Sequence, residues 1–206
     1  MAKLEFLNSE GRAARVLGTL YQLILLNLLT LFCCLPVFTI GAAVTSMNYC
    51  LLRLIRKEES YLTKDFFHSF RENFRQASCL WLIKLCFLIP MAADLLLIEN
   101  APETMPKAVS YVVVITGFIV MMLLAFTFPL QSHFYNTLSH TLANSFRLGA
   151  AKFPRAFVMT FVWVLPGWIL LHILFLFPVV LMLGISLPGY VCARLYEPVF
   201  RELESE

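Results

Sequence analysis

Three stretches of this 206-residue chain contain no charged residue, and each is longer than a single membrane-spanning helix. They are residues 16–52, 108–146 and 156–193. A helix that crosses a bilayer needs about 20 consecutive apolar residues, so each stretch has room for one or two such helices. This pattern predicts a polytopic, all-α transmembrane bundle and constrains the fold more than any other feature of the sequence.

The overall composition agrees with this interpretation. Hydrophobic residues make up 60% of the chain and charged residues 14%, whereas a soluble domain carries roughly 25% charged residues to cover its surface. We therefore expect a single membrane domain that extends over residues 1–206, with membrane lipids as its surroundings.

Six crossings are predicted, with four as the lower count. The second crossing, over residues 37–57, and the sixth, which ends near Cys192, are the short ones. With both termini in the cytoplasm, all basic residues except two lie on the cytoplasmic side, as the positive-inside rule favours. The exceptions are Lys84, inside a span, and Lys107, outside. The predicted location is thus the cell membrane, with cytoplasmic termini.

The chain also contains two similar halves. A Ser-Phe-Arg element at residues 69–71 aligns with another at residues 145–147, and Pro90 then falls on Pro166. Transporters are often built from such repeats, while chance similarity between two apolar sequences is the alternative, because membrane segments use few residue types. The proposed repeats cover residues 16–98 and 106–192.

The two Ser-Phe-Arg elements lie just before membrane spans on the basic side. Aromatic and basic residues at this position are typical of interfacial helices that contact lipid phosphate or a partner protein. Ordinary anchoring of the helix at the interface is the simpler interpretation. The candidates for a cytoplasmic docking surface are Phe70, Arg71, Phe146 and Arg147.

Three polar side chains lie within the predicted spans. Lys84 and Asp94 interrupt a span over residues 76–98, and His172 lies in the span that begins near residue 156. Lys84 and Asp94 are about 15 Å apart along a helix, so they cannot form a direct pair without a large bend. Ionisable residues at membrane depth are functional candidates, and snorkelling toward the membrane surface is the alternative. His172 stands alone, and a lone histidine in a span more often forms a hydrogen bond between helices.

No motif in the sequence indicates catalysis. The chain has no nucleotide-binding glycine loop and no nucleophile motif, and its six cysteines form no metal-ligand spacing with histidines. We therefore predict no enzymatic activity, no catalytic, cofactor or metal residues, and no nucleic-acid partner.

Four motifs in order carry a family resemblance. They are Leu-Asn-Leu-Leu at residues 26–29, a Gly-Ala turn leading to Arg-Lys across residues 41–57, an aromatic Ser-Phe-Arg-Glu-Asn-Phe element at residues 66–74, and Phe-Pro-Leu at residues 128–130. Together they resemble the YesL-like integral membrane protein family of bacteria, whose function is unknown.

The resemblance implies a role in carbohydrate uptake in Gram-positive bacteria, because members are encoded beside carbohydrate ABC importers. The first functional hypothesis is thus an accessory or regulatory subunit that binds the permease subunits of such an importer. The alternative is a small stand-alone transporter or channel that works as a homo-oligomer. A membrane enzyme or lipid-binding protein, the third class, needs a polar cluster that the sequence does not reveal.

Overall fold

The computed structural model is helical over nearly all of its described residues. It describes residues 2–58, 61–100, 107–134, 136–173, 175 and 177–205, and no strand occurs among them. The prediction of an all-α fold is confirmed. Most of the loop predicted at the outer end of the third span, residues 101–106, lies outside the described residues.

The helices follow one another with short connections. Their bounds are α1 Ala2–Cys33, a 3₁₀ turn Val37–Thr39, α2 Ile40–Arg56, α3 Leu62–Asn100, α4 Lys107–Leu123, α5 Thr127–His133, α6 Leu138–Ala151, α7 Phe153–His172, α8 Phe177–Leu183 and α9 Ser186–Ser205.

The number of helices that could cross a membrane matches the predicted range. Four segments are long and apolar enough to cross alone: Val16–Cys33, Val37–Arg56, Leu62–Asp94 and Tyr111–His133. Two more candidates are bent pairs, α6 with α7 at 106° and α8 with α9 at 47°. The described part of the chain therefore contains four candidate crossings, or up to six if each bent pair counts as one. The cytoplasmic placement of the termini stays a prediction.

Helix α2 lies at the centre of the bundle and packs against α3, α5 and α9. Its first turn approaches α3 closely, because Gly41 has no Cβ that would overlap the backbone of Ala77. Helix α2 ends at Lys57, whose left-handed backbone (φ 56°) lets its N–H bond to the carbonyls of Arg53 and Leu54. This cap turns the chain toward α3, so that α2 and α3 form an antiparallel hairpin.

The two predicted repeats differ in how their polar helix meets the following span. In the first half α3 continues for 39 residues, about 58 Å, through the Ser-Phe-Arg element and into the span. In the second half the chain bends at Lys152, which is outside the helical conformation (φ −109°, ψ 41°), and Pro154 follows in the first turn of α7. Proline lacks an N–H and fits best in the first turn of a helix, so Pro154 favours the start of a new helix after the bend at Lys152.

Charged side chains pair with one another where the ends of α2, α5 and α9 meet. The charged segment after Arg194 continues α9 to Ser205, and Tyr196 and Phe200 within it are fully buried. The ion pairs at this end of the bundle join Arg53 to Glu58 and Asp65, Arg56 to Glu197 and Glu204, Arg201 to Glu197, His133 to Glu204, and Lys152 to Glu202.

Candidate functional site

A cavity of about 480 Å³ lies inside the bundle, between α2, α3, α4, α5, α7 and α9. Its volume is in the range of small-molecule sites, which are mostly apolar with a few placed polar groups. The walls have this character: Leu88, Phe118, Phe128, Met159 and Trp163 form much of the surface. We call this space the Lys84 cavity, after the only charged residue among its described lining residues.

Lys84 is held at the cavity wall by an aromatic ring. Its ammonium nitrogen lies 4.6 Å from the ring centroid of Phe128 in α5, within the range of a cation–π interaction. The side chain therefore faces the bundle interior, and among the described residues no carboxylate forms an ion pair with it.

Polar groups beside Lys84 are few, and most of them are already hydrogen-bonded. The amide nitrogen of Asn48 donates to the carbonyl of Val44, and its oxygen accepts from the hydroxyl of Tyr196. Thr160 donates to the carbonyl of Ala156. Both side chains therefore already have hydrogen-bond partners, and Lys84 is the one charged group among the described lining residues.

One further donor lies one helical turn before Lys84. The indole N–H of Trp81 is buried and has no hydrogen-bond acceptor among the described groups. Residues three apart on a helix share a face, and both Trp81 and Lys84 contact Phe128. The face of α3 that lines the cavity thus carries two hydrogen-bond donors, the indole N–H of Trp81 and the ammonium of Lys84. No described group accepts a hydrogen bond from Trp81.

The other two predicted intramembrane residues lie elsewhere. Asp94 is buried within the protein, at 6% exposure. His172 is exposed and stacks on Trp168, with ring centroids 4.8 Å apart. Neither residue lines the Lys84 cavity, so Lys84 alone of the three contributes to it.

A second concavity lies on the surface of α3. It is open, has a volume of about 1000 Å³, and carries exposed Phe67, Arg71 and Arg75 along one wall. Asn136 and Thr137, which precede α6, form part of the opposite wall. We call it the aromatic–basic groove.

The predicted docking residues divide between this groove and α6. Arg71 and Phe70 line the groove, where Phe70 is half-buried and lies between Phe66 and Phe74 in an aromatic row. Phe146 and Arg147 are exposed on α6 but are not among the groove residues. The two Ser-Phe-Arg elements therefore present separate surfaces.

Polar side chains form the floor of the groove. The amide nitrogen of Gln131, in α5, donates to the side-chain oxygens of Asn73 and Gln76, and its oxygen accepts from Thr141. This network ties α3, α5 and α6 together. In the sequence, the only sign of this network is that Gln131 and Thr141 are polar residues within the charge-free stretch 108–146.

Metal binding has no structural basis in the described residues. No three histidine, cysteine, aspartate or glutamate side chains lie close enough among them to hold an ion, and the six cysteines are free.

The fold and the apolar helices define the class of this molecule as a multi-pass, α-helical membrane protein. Residues 23–95, less than half of the chain, match the family model described as protein of unknown function DUF624. The matched segment contains the last third of α1, all of α2 and most of α3, and therefore includes Lys84 and one wall of the groove. No curated protein and no solved structure matches the chain.

Proposed function

We propose that this chain is a non-catalytic, YesL-like accessory or regulatory subunit of a carbohydrate ABC importer in the cell membrane of a Gram-positive bacterium. It binds the importer's permease subunits through the aromatic–basic groove and the exposed face of α6. The family resemblance supports the type of partner, and the groove is the observation that carries the proposal for how the partner binds.

The groove has the composition of a protein-binding surface. Arginine and aromatic residues are enriched at protein interfaces, and lysine and serine are depleted there. Arg71 and Arg75 are exposed, as is Phe67 at 48%. In the aromatic row beneath them, Phe66 belongs to the core and Phe70 packs against it.

The charge of the groove indicates the chemistry of its partner. Arg71 and Arg75 outnumber the single acidic lining residue, Glu72. A cytoplasmic segment with acidic and apolar side chains complements this surface, and complementary charge speeds association and selects among partners. We therefore expect the contact on the permease to be an acidic, partly apolar segment.

Affinity purification from the native host tests the proposal. The tagged full-length protein should elute with importer permeases in a fixed ratio, and Arg71→Glu combined with Arg147→Glu should release them. Arg194→Glu is the matched control, because Arg194 is also exposed and lies on α9 rather than at either proposed surface. Loss of permeases in the control as well, or retention in the double variant, would contradict docking at these surfaces.

A second candidate function is a small transporter or channel that works as a homo-oligomer, and the Lys84 cavity favours it. An ionisable residue facing a cavity at membrane depth is a common feature of transport pathways. Purified protein in liposomes should then carry solute flux without other subunits, and Lys84→Met should abolish it. A protein that elutes without permeases and carries flux alone would replace the first proposal.

The proposed topology has its own test. Reporter fusions after Thr39, between α1 and α2, and after Ile173, between α7 and α8, should both report an external location if six crossings are present. A cytoplasmic signal at Thr39 would contradict the second crossing and the placement of both termini in the cytoplasm.

A further inference from the structure

We propose that the Lys84 cavity is a binding site for a singly charged anionic amphiphile, a carboxylate with an apolar chain. In this assignment the carboxylate binds the Lys84 ammonium and the apolar chain occupies the remainder of the cavity. The inference is independent of the importer proposal, because it concerns the bundle interior rather than the surface groove.

The first argument is the charge of Lys84. Lys84 is half-buried and faces an apolar cavity, where an ammonium is costly unless it is paired and hydrogen-bonded. Phe128 provides a cation–π contact, but such a contact leaves the charge without a counter-ion and the three ammonium hydrogens without good acceptors. A carboxylate supplies both, and it would also introduce an acceptor on the α3 face that carries the unsatisfied indole N–H of Trp81.

The second argument is the shape and lining of the space. About 480 Å³ is enough for a small molecule, and the remaining walls are nearly all apolar. An inorganic anion would occupy only the end at Lys84 and leave those walls uncovered. An amphiphile satisfies the cation and covers the apolar walls together.

The third argument is the number of charges. Lys84 is the only charged side chain among the described lining residues. Phosphate groups, which carry more charge and three acceptor oxygens, are usually bound by arginines or by several donors. A single ammonium matches a single carboxylate more closely than it matches a phospholipid headgroup.

The cavity is also within reach of a ligand dissolved in the membrane. It is partly open, and two of its lining residues on α7, Trp163 and Val164, are exposed at 37% and 55%. Helix α7 is one of the outer, apolar helices of the bundle, so the cavity communicates with the surface that faces lipid.

Tryptophan quenching provides a direct test. Two of the three tryptophans, Trp81 and Trp163, line the cavity, and Trp168 does not. In a Trp168→Phe background, in phosphatidylcholine vesicles, bromododecanoate should quench the remaining fluorescence saturably. The corresponding neutral alcohol, bromododecanol, should bind about tenfold more weakly or worse, since it lacks the charge.

Variants of Lys84 separate the site from general partitioning into the bilayer. Lys84→Met should weaken bromododecanoate binding by about tenfold or more and remove the preference for acid over alcohol, while Lys84→Arg should keep both. Lys64→Met is the matched control, because Lys64 is an exposed lysine on the same helix, and it should bind as the parent does.

Three results would overturn the proposal: equal binding of acid and alcohol by the parent protein, unchanged acid binding in Lys84→Met, or complete displacement of the acid by chloride or acetate. The last would identify a simple anion site. If Lys84→Met fails to fold, the comparison of acid with alcohol in the parent protein still decides the question.

Discussion

Helices α2 and α7 are of similar length but have opposite surroundings. Helix α2 begins with small and polar residues, Gly41 to Ser46, and 61% of the span that contains it is buried. Helix α7 is rich in phenylalanine, tryptophan and branched aliphatic residues, yet most of its large apolar side chains are exposed. In a water-soluble protein the more apolar helix would be expected inside.

The difference reflects the solvent around each helix. Lipid is as apolar as leucine, so large aliphatic and aromatic side chains gain little by leaving it. Small residues allow close approach of backbones, and polar groups need partners inside the protein. Changes on the inner helix and its partners should therefore affect stability far more than similar changes on the outer helices.

The largest effect is expected for Gly41→Val. Any Cβ at this position overlaps the carbonyl oxygen of Ala77, so α2 and α3 must separate at the tightest contact in their hairpin. We expect a loss of about 3 kcal/mol or more, seen as a large fall in melting temperature in detergent. Gly167→Val on α7 is the control, because nothing lies within 4 Å of the added Cβ; equal losses would mean that α2 is not the inner helix.

The second-largest loss of stability is expected for Glu197 of α9, which pairs with Arg56 at the C-terminal end of α2. Glu197 is 8% exposed and pairs with Arg56 of α2 and with Arg201. Glu197→Ala leaves the half-buried Arg56 with fewer acceptors, and we expect a cost of about 2–3 kcal/mol, below the value for a fully buried pair. Thermal unfolding in detergent measures this cost. Glu202→Ala, which removes the exposed pair with Lys152, is the control. A larger loss of stability in the control than in Glu197→Ala would contradict the role of Glu197 as the more important ion-pair partner.

A smaller loss is expected at the groove floor. Gln131→Leu removes the shared partner of Asn73, Gln76 and Thr141, and the cost should be about 1–2 kcal/mol, since Asn73 and Gln76 remain partly open to solvent. The same melting experiment applies, with Asn136→Leu at the groove rim as the comparison. A cost near zero would show that the network does not join α5 to α3 and α6.

The smallest effect on stability is expected for Lys84→Met. The substitution removes a cation–π contact worth about 0.5–2 kcal/mol, but it also removes a half-buried charge that faces an apolar cavity and that no described carboxylate pairs with. We expect an unchanged or higher melting temperature. A fall as large as that of Glu197→Ala would indicate that Lys84 stabilises the fold and would remove it from the list of functional residues.

Individual residues show how far sequence reasoning reached. The spans, the all-helical class and the choice of Lys84 follow from charge-free runs and from the high cost of a charge at membrane depth. The interior position of Asp94 and the exposure of His172 did not follow, because the direction of a side chain around a helix depends on its neighbours. Phe66 illustrates the same limit: it shares a helical face with Phe70 and Phe74, yet it is fully buried in the core.

Local sequence by itself determined that this chain forms apolar helices and where several of them end, since proline, capping residues and the absence of charge act over a few positions. Only the tertiary structure decided which helix is central, which charges are paired and where a cavity remains. The packing of Gly41 on Ala77, the pairing of Arg56 with Glu197 and the position of Lys84 over Phe128 each join segments far apart in the chain. Such contacts depend on how helix surfaces fit together, which no local pattern specifies.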